Sequence, residues 1–198
     1  MPTLPGRGGA ITDALAQRLG SIRTPNSNER AALSGMVGQS VALGRNYTLA
    51  SEGDQLSWSY LIEQGWFLRS RSSRGGNRHS MLVYLPGDVL MPFAAFETAA
   101  RYDVVSATPG RLSLVAPSAF LGVARDHPEL SASLFAAETQ LVERALLYGC
   151  HSKVRAASDR VLFLFLELWT RLRLQGLAMP DGFDMPLSQG HIADICGL

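Results

Sequence analysis

The sequence predicts an α+β protein in which an N-terminal β-roll is followed by a long helix and a second, smaller helical segment. Three observations support this class. Short β-prone segments alternate with turn signals from about residue 41 to residue 116. After Pro117 the spacing of apolar residues changes from two to about 3.6, which is typical of helices. A serine-capped amphipathic segment lies near residue 198.

Composition limits the possible functions. The 18 Lys and Arg residues nearly balance 17 Asp and Glu residues, so any contact with nucleic acid would need a local basic patch. The two cysteines, Cys150 and Cys196, are too few for a disulfide framework or a zinc cluster, and a cytoplasmic location is the simplest interpretation. No apolar segment is long enough to span a bilayer, and we expect no membrane contact.

Residues 1–25 are predicted to form a flexible leader and a short helix. The first nine residues are rich in Gly and Pro. Helical spacing of apolar residues begins at Ile11 and continues to Leu19. A further helix is expected after Pro25, because Asn26 and Glu29 have the spacing of a capping box.

Residues 26–127 are predicted to form the β-roll, a jelly roll of the double-stranded β-helix type. Many short strands at regular spacing favour such a roll. Strands are predicted at 41–44, 47–49, 60–63, 66–68, 81–85, 103–107 and 112–116, and turns at Glu52-Gly53-Asp54, Gly65, Pro86-Gly87-Asp88 and Pro109-Gly110, with a hairpin tip at 71–78.

Residues 128–155 are predicted to form one long helix that brings two copies of the chain together. Leu130, Leu134, Leu141 and Tyr148 recur at spacings of four and seven, which indicates a coiled-coil seam and a homodimer. The same stripe would also suit a helix that packs on its own β-roll, and the sequence leaves this alternative open.

Residues 156–198 carry a second helix and a capped terminal helix. Apolar residues cover more than one face of the helix predicted at 156–174, so we expect it to be buried on two sides. Pro180-Asp181-Gly182 predicts a tight turn within a small hairpin. Ser188 is the predicted cap of the last helix, and Gly197 suits its left-handed end.

This order of elements resembles the cyclic-AMP-receptor/fumarate-nitrate-reductase (Crp/Fnr) family of bacterial transcription regulators. The resemblance extends from about residue 26, and its most specific part is the last of three motifs. The motifs are Tyr60-Leu61-Ile62-Glu63-Gln64-Gly65, Leu85-Pro86-Gly87-Asp88 and Pro186-Leu187-Ser188-Gln189-Gly190-His191-Ile192-Ala193-Asp194.

The resemblance implies a DNA-binding homodimer. Residues 26–127 would be a cyclic-nucleotide-binding-like sensor, residues 128–155 the dimerisation helix, and residues 156–198 the incomplete start of a winged helix-turn-helix domain. It also implies RNA polymerase as a partner and places Ser188 and Gln189 near DNA phosphates. Because the second helix of the motif is not in the sequence, we expect residues 1–198 to dimerise but to bind DNA poorly.

The resemblance does not extend to the cyclic-nucleotide pocket. Met91 and Pro92 occupy the positions of the Gly-Glu pair that binds the ribose in that family, Ala100 replaces its phosphate-binding arginine, and Asp103 would face the phosphate. Arg101, one residue away, could restore a phosphate contact. We expect no response to cyclic AMP, and an unidentified apolar effector or none. The candidate effector pocket comprises Leu90, Met91, Pro92, Phe93, Ala100, Arg101 and Asp103.

No catalytic residue, metal ligand or cofactor is predicted. An iron–sulfur sensor would need N-terminal cysteines, and none precedes Cys150. A cupin-like enzyme would need clustered metal ligands, and His79 has no partner histidine in the β region. The alternatives to a DNA-binding regulator are an effector sensor or scaffold without DNA binding and, less favoured, such an enzyme.

Overall fold

The computed structural model describes residues 7–72, 78–96 and 99–198, without the side chains of residues 7–12, 72, 78 and 152–154. Residues 1–6 of the predicted leader and most of the hairpin tip predicted at 71–78 lie outside the described residues. The α+β prediction is confirmed, because two four-stranded antiparallel sheets are combined with helices. No described helix has the length and apolar character needed to cross a membrane.

Two helices precede the sheets, α1 (Arg7–Gly20) and α2 (Ser27–Met36). Helix α1 begins four residues before the predicted start at Ile11. The predicted capping box of α2 is confirmed. The Glu29 amide donates to Asn26 Oδ1 at 3.0 Å, and the Asn26 amide donates to Glu29 Oε2 at 2.8 Å.

Eight strands of the described part form the roll. The first sheet has the order β1-β8-β3-β6 and the second the order β2-β7-β4-β5. The strands are β1 (Val37–Leu43), β2 (Thr48–Ala50), β3 (Ser59–Gln64), β4 (Phe67–Ser72), β5 (Arg78–Tyr84), β6 (Val89–Leu90), β7 (Asp103–Ser106) and β8 (Gly110–Val115). Gly65 and Gly87 adopt φ angles of 89° and 86° at the turns predicted for them.

Apolar side chains from both sheets fill the roll. Ile62, Phe67, Tyr84 and Leu112 are at most 1% exposed and belong to one cluster. Leu141 from the long helix joins the same cluster, so this helix closes the roll.

Three elements were not predicted. One is the two-residue strand β6 (Val89–Leu90). The others are a 3₁₀ helix (Pro92–Ala95) after β6 and helix α3 (Pro117–Asp126) after β8. Both helices begin with Pro at the first position, which suits a helix start, but their few periodic apolar residues give a weak sequence signal.

Three further helices complete the fold. They are α4 (Pro128–Val154), α5 (Ala157–Leu174) and α6 (Gln189–Cys196). The division of the chain into domains at residues 127 and 155 stays a prediction, although both positions coincide with helix ends. Only an isolated bridge between Met179 and Gly182 accompanies the turn at Pro180, in place of a longer hairpin.

The structure corrects the predicted dimer seam on α4. Leu130, Leu141 and Tyr148 are at most 6% exposed, and Leu134 packs partly buried beside α1 and α2. These four side chains face three clusters of the chain's own core, because α4 packs along the roll and against α5. This stripe therefore packs on the chain's own β-roll, which is the alternative that the sequence left open.

The expectation for α5 is also corrected. Leu164, Leu168 and Leu172 are at most 3% exposed, but Leu162 and Leu166 are 58% and 51% exposed. Helix α5 is thus buried within the chain on one side only.

Candidate nucleic-acid interface

The N-terminus of α6 is the part of the chain that presents both predicted phosphate-positioning residues. Ser188 caps the helix, since its Oγ accepts a hydrogen bond from the His191 amide at 3.2 Å. Ser188, Gln189 and Gly190 are exposed. The unpaired amides and the partial positive charge of a helix N-terminus favour an anionic group there.

Apolar contacts hold α6 against the roll. Leu187, Ile195 and Cys196 are at most 6% exposed and share a cluster with Val83 and Leu85, which lie at the end of β5. The predicted apolar face of α6 is therefore buried, and burial raises the pKa of the Cys196 thiol.

The C-terminus of α6 is closed as predicted. Gly197 adopts a φ of 64°. Arg160 of α5 donates to the carbonyl oxygens of Cys196 and Gly197 at 2.6 and 2.9 Å, a cationic contact that suits a helix C-terminus. Arg160 was not predicted for this role. Packing and this arginine fix the direction in which Ser188 and Gln189 are presented.

Three of the predicted effector-pocket residues are core residues. Leu90 and Met91 are fully buried, and Ala100 is 4% exposed. They belong to the roll cluster, and Tyr84 and Tyr102 contact each other there through their hydroxyl groups at 3.2 Å. Burial raises the pKa of both tyrosines. The prediction that these three residues line an effector pocket is therefore corrected, because large aromatic side chains occupy the roll interior.

The other four pocket candidates are dispersed. Pro92 borders a cavity of about 30 Å³ beside α4. Phe93 contacts the Tyr102 ring edge-on, with ring centroids 5.7 Å apart, and the exposed Arg101 lies 5.9 Å from the Phe93 ring. Asp103 Oδ1 accepts a hydrogen bond from the Glu52 amide at 2.8 Å. The carboxylate of Asp103 therefore stabilises a turn.

An exposed apolar stripe on α4 was missed by the sequence analysis. Phe135, Val142 and Leu146 are 75%, 39% and 65% exposed. Thr139 lies between them, and its hydroxyl is satisfied by the Phe135 carbonyl at 2.9 Å. These four residues, which we call the α4 stripe, have spacings of four, three and four, typical of a two-helix seam. The heptad spacing was visible in the sequence, but it is shared with the core-facing side of the helix.

A buried ionic network also escaped prediction. Asp88, from the Pro-Gly-Asp turn, accepts from Arg18 Nε at 3.3 Å and from Arg171 Nη2 at 2.5 Å. Glu167 pairs with Arg144 at 2.8 Å and accepts from the Tyr148 hydroxyl at 2.8 Å. The network joins α1, the roll, α4 and α5. The helical spacing of α5 indicated apolar residues on more than one face and gave no sign of a buried arginine.

The comparisons with known proteins identify the fold. No model of a protein family matches the sequence, and no curated protein matches it. Among solved structures, the chain is similar to FixK2 from Bradyrhizobium japonicum, with 21% identity, a TM-score of 0.70, and 82% of this chain and 78% of that chain covered. The chain has the Crp/Fnr fold.

Two further structures with the Crp/Fnr fold support this result. The c-di-GMP-responsive regulator CLP of Xanthomonas campestris is 10% identical, with a TM-score of 0.68 and coverage of 87% and 85%. TTHB099, a CRP-family transcriptional regulator from Thermus thermophilus, is 21% identical, with a TM-score of 0.63 and coverage of 79% and 76%. In this chain's version of the Crp/Fnr fold, the described residues contain no cluster of three or more His, Cys, Asp or Glu suited to a metal ion.

Proposed function

We propose that the protein is a homodimeric, DNA-binding transcription regulator of the Crp/Fnr type. The observation that carries this proposal is the capped, exposed N-terminus of α6, which buried apolar contacts hold against a roll with the Crp/Fnr fold. Of the proteins with that fold, TTHB099 is described as a transcriptional regulator and CLP as a global regulator. RNA polymerase is a further expected partner, together with an unidentified small-molecule effector or none.

The α4 stripe supplies the proposed dimer contact. Phe135, Val142 and Leu146 expose a line of apolar surface along a 27-residue helix. A contiguous line of exposed apolar side chains is typical of a protein–protein interaction surface. Pairing two copies through this stripe would place the two α6 helices around a common two-fold axis, which suits the two-fold symmetry of many operators.

The proposed roles of Ser188 and Gln189 are phosphate contacts. A helix N-terminus combines free amides with polar side chains, and such contacts position a protein on DNA without reading its sequence. The exposure of both residues supports this assignment. Base reading would fall to other residues.

Selection of bound duplexes from a random DNA library, by a version of the protein that carries the second helix of the expected helix-turn-helix, tests the DNA-binding function. We expect enrichment of an inverted repeat with half-sites about one helical turn apart, because a symmetric dimer contacts two equivalent sites. Recovery of DNA without any enriched sequence would contradict the proposal and favour a sensor or scaffold without DNA binding.

Gln189→Ala tests the phosphate role. In the version used for the selection it should weaken binding to every duplex by a similar factor, about fivefold for the loss of about 1 kcal/mol from one hydrogen bond. Gln39→Ala is the matched control, since Gln39 is an exposed glutamine on β1, in the other part of the molecule. Fluorescence anisotropy with cognate and scrambled duplexes measures both. A loss confined to the cognate duplex would assign Gln189 to base reading instead.

The proposed regulator does not respond to cyclic AMP. Met91 and Ala100 are buried in the roll cluster beside Tyr84 and Tyr102, and Asp103 supplies a negative charge where the resemblance implies a phosphate. Isothermal titration calorimetry with cyclic AMP should therefore detect no binding. A dissociation constant in the micromolar range would overturn this assignment.

A further inference from the structure

A cavity of about 130 Å³ lies where α1, α4 and α5 meet, outside the roll interior. A cavity of about 10–15 Å³ is enough for one water molecule, so this one can hold a group of several atoms. Polar side chains dominate its wall. It is lined by Arg18, Ser21, Gln140, Arg144, Arg171, Leu174 and Gln175.

Positive charge is in excess around this cavity. Three arginines line it, and the carboxylates that pair with them are Asp88 and Glu167. Burial lowers the pKa of Arg144, and the nearby charge of Arg171 lowers it further. The neighbouring Glu138 does not fully compensate, because burial raises its pKa to about 7. An anion in the cavity would offset the remaining charge.

Two buried groups on the cavity wall lack hydrogen-bond partners. Gln175 is 3% exposed, and neither its Nε2 nor its Oε1 has a partner. The Nε of Arg171, also 3% exposed, is likewise unpaired, although its other nitrogens bind Asp88 and the Val83 carbonyl. Buried polar groups are nearly always paired, so the wall retains unused donors.

We propose that this cavity binds a small oxyanion of the phosphate class, either free phosphate or the phosphate group of a small ester. Arginine is the side chain best suited to such a group, because its planar donors match two oxygens at once. The unpaired donors of Arg171 and Gln175 would complete its coordination, with Arg144 closing the outer side. The site is separate from the roll interior and from α6, and its existence does not depend on DNA binding.

Occupancy would also connect parts of the molecule. Arg18 belongs to α1, Arg144 to α4, and Arg171 and Gln175 to the end of α5. Arg18 already donates to Asp88, Gln140 and the Ala137 carbonyl, so it would contribute charge to the cavity. An anion bound by Arg144, Arg171 and Gln175 would hold α5 in its present position against α4.

Calorimetry and thermal unfolding of the chain in phosphate-free buffer at constant ionic strength test the proposal. Inorganic phosphate and glycerol 3-phosphate are the two probes, and they distinguish a free ion from an ester. We expect at least one to bind with a dissociation constant of roughly 1 mM or below and to raise the Tm in a saturable manner. Absence of saturable binding by both would overturn the proposal.

Two variants separate binding at this site from general salt effects. Arg144→Gln should weaken binding at least about tenfold, because a charge-assisted contact is lost. Gln175→Leu should abolish most of the phosphate response while raising the Tm without phosphate, since it removes the unpaired amide at similar volume. Arg173→Gln is the control, an exposed arginine on α5 that packs over Trp169. An unchanged phosphate response in both test variants would refute the site.

Discussion

Glu138 makes the stability of the fold dependent on pH. Glu138 belongs to α4 and lies close to Asp88, Arg18 and Arg69, and burial raises the pKa of its carboxyl group from 4.5 to about 7. The folded state therefore favours the protonated form. The stability that protonated Glu138 contributes to the fold is fully present below pH 4.5 and is lost as the pH rises through 7. Above pH 7 the ionised carboxylate lowers the free energy of unfolding by about 3 kcal/mol, at about 1.36 kcal/mol per pKa unit.

Glu138→Gln should remove this dependence. We expect the variant to be more stable than the original chain at about pH 8 and similar to it near pH 4.5, because the amide stays neutral throughout. Urea unfolding at several pH values measures the difference in the free energy of unfolding between the two proteins. The contributions of the other titrating groups are the same in both proteins and cancel. Parallel stability curves for the two proteins would show that Glu138 titrates normally.

Single residues were predicted well only where their role is local. Ser188 was identified as a helix cap because its hydroxyl contacts an amide three residues away. Asp88 was identified only as part of a turn. Its partners Arg18 and Arg171 are 70 and 83 residues distant, so no local pattern indicates them.

At the scale of secondary structure, the turn at Gly87 controls how closely α1 approaches the roll. Gly87 has a φ of 86°, and a Cβ there would lie 2.7 Å from the Ala14 carbonyl oxygen. Gly53 has a similar φ of 92°, but a Cβ at that position would have no other atom within 4 Å. Both glycines have a positive φ, but only at Gly87 would an added Cβ lie against other backbone atoms.

This difference predicts unequal effects of alanine. Gly53→Ala should cost about 1 kcal/mol, the penalty for a left-handed alanine. Gly87→Ala should cost at least about twice as much, because the backbone of α1 must also shift. Chemical denaturation of both variants gives the comparison. Equal losses would mean that α1 does not lie against this turn.

Elements with local signals were predicted with small errors at their ends. The capping box of α2, the strands beside Gly65 and the long helix α4 are examples. The orientation of α4 could not be predicted, because both its stripes repeat at heptad spacing. The packing of Leu130, Leu141 and Tyr148 into the three core clusters shows which stripe is internal.

For the whole molecule, the order of elements indicated the Crp/Fnr fold before any contact was known. The packing of α6 against β5 through Ile195 and Cys196 was not evident from that order. Neither was the filling of the roll by Tyr84 and Tyr102. Both depend on how side chains distant in sequence fit together.

The proposed function depends on assembly through the α4 stripe, because the regulator presents two α6 helices to DNA only as a dimer. Leu146 is 65% exposed and belongs to the stripe, and an aspartate there would place two like charges at the proposed axis. Leu166→Asp on α5 is the matched control, since Leu166 is also an exposed leucine, 51% accessible.

Analytical ultracentrifugation of the chain and these two variants at micromolar concentration is the most direct measurement. We expect a dimer for the original chain and for Leu166→Asp, and a folded monomer for Leu146→Asp with unchanged circular dichroism. A monomeric original chain, or a Leu146→Asp variant that remains dimeric, would rule out a dimer formed through the α4 stripe.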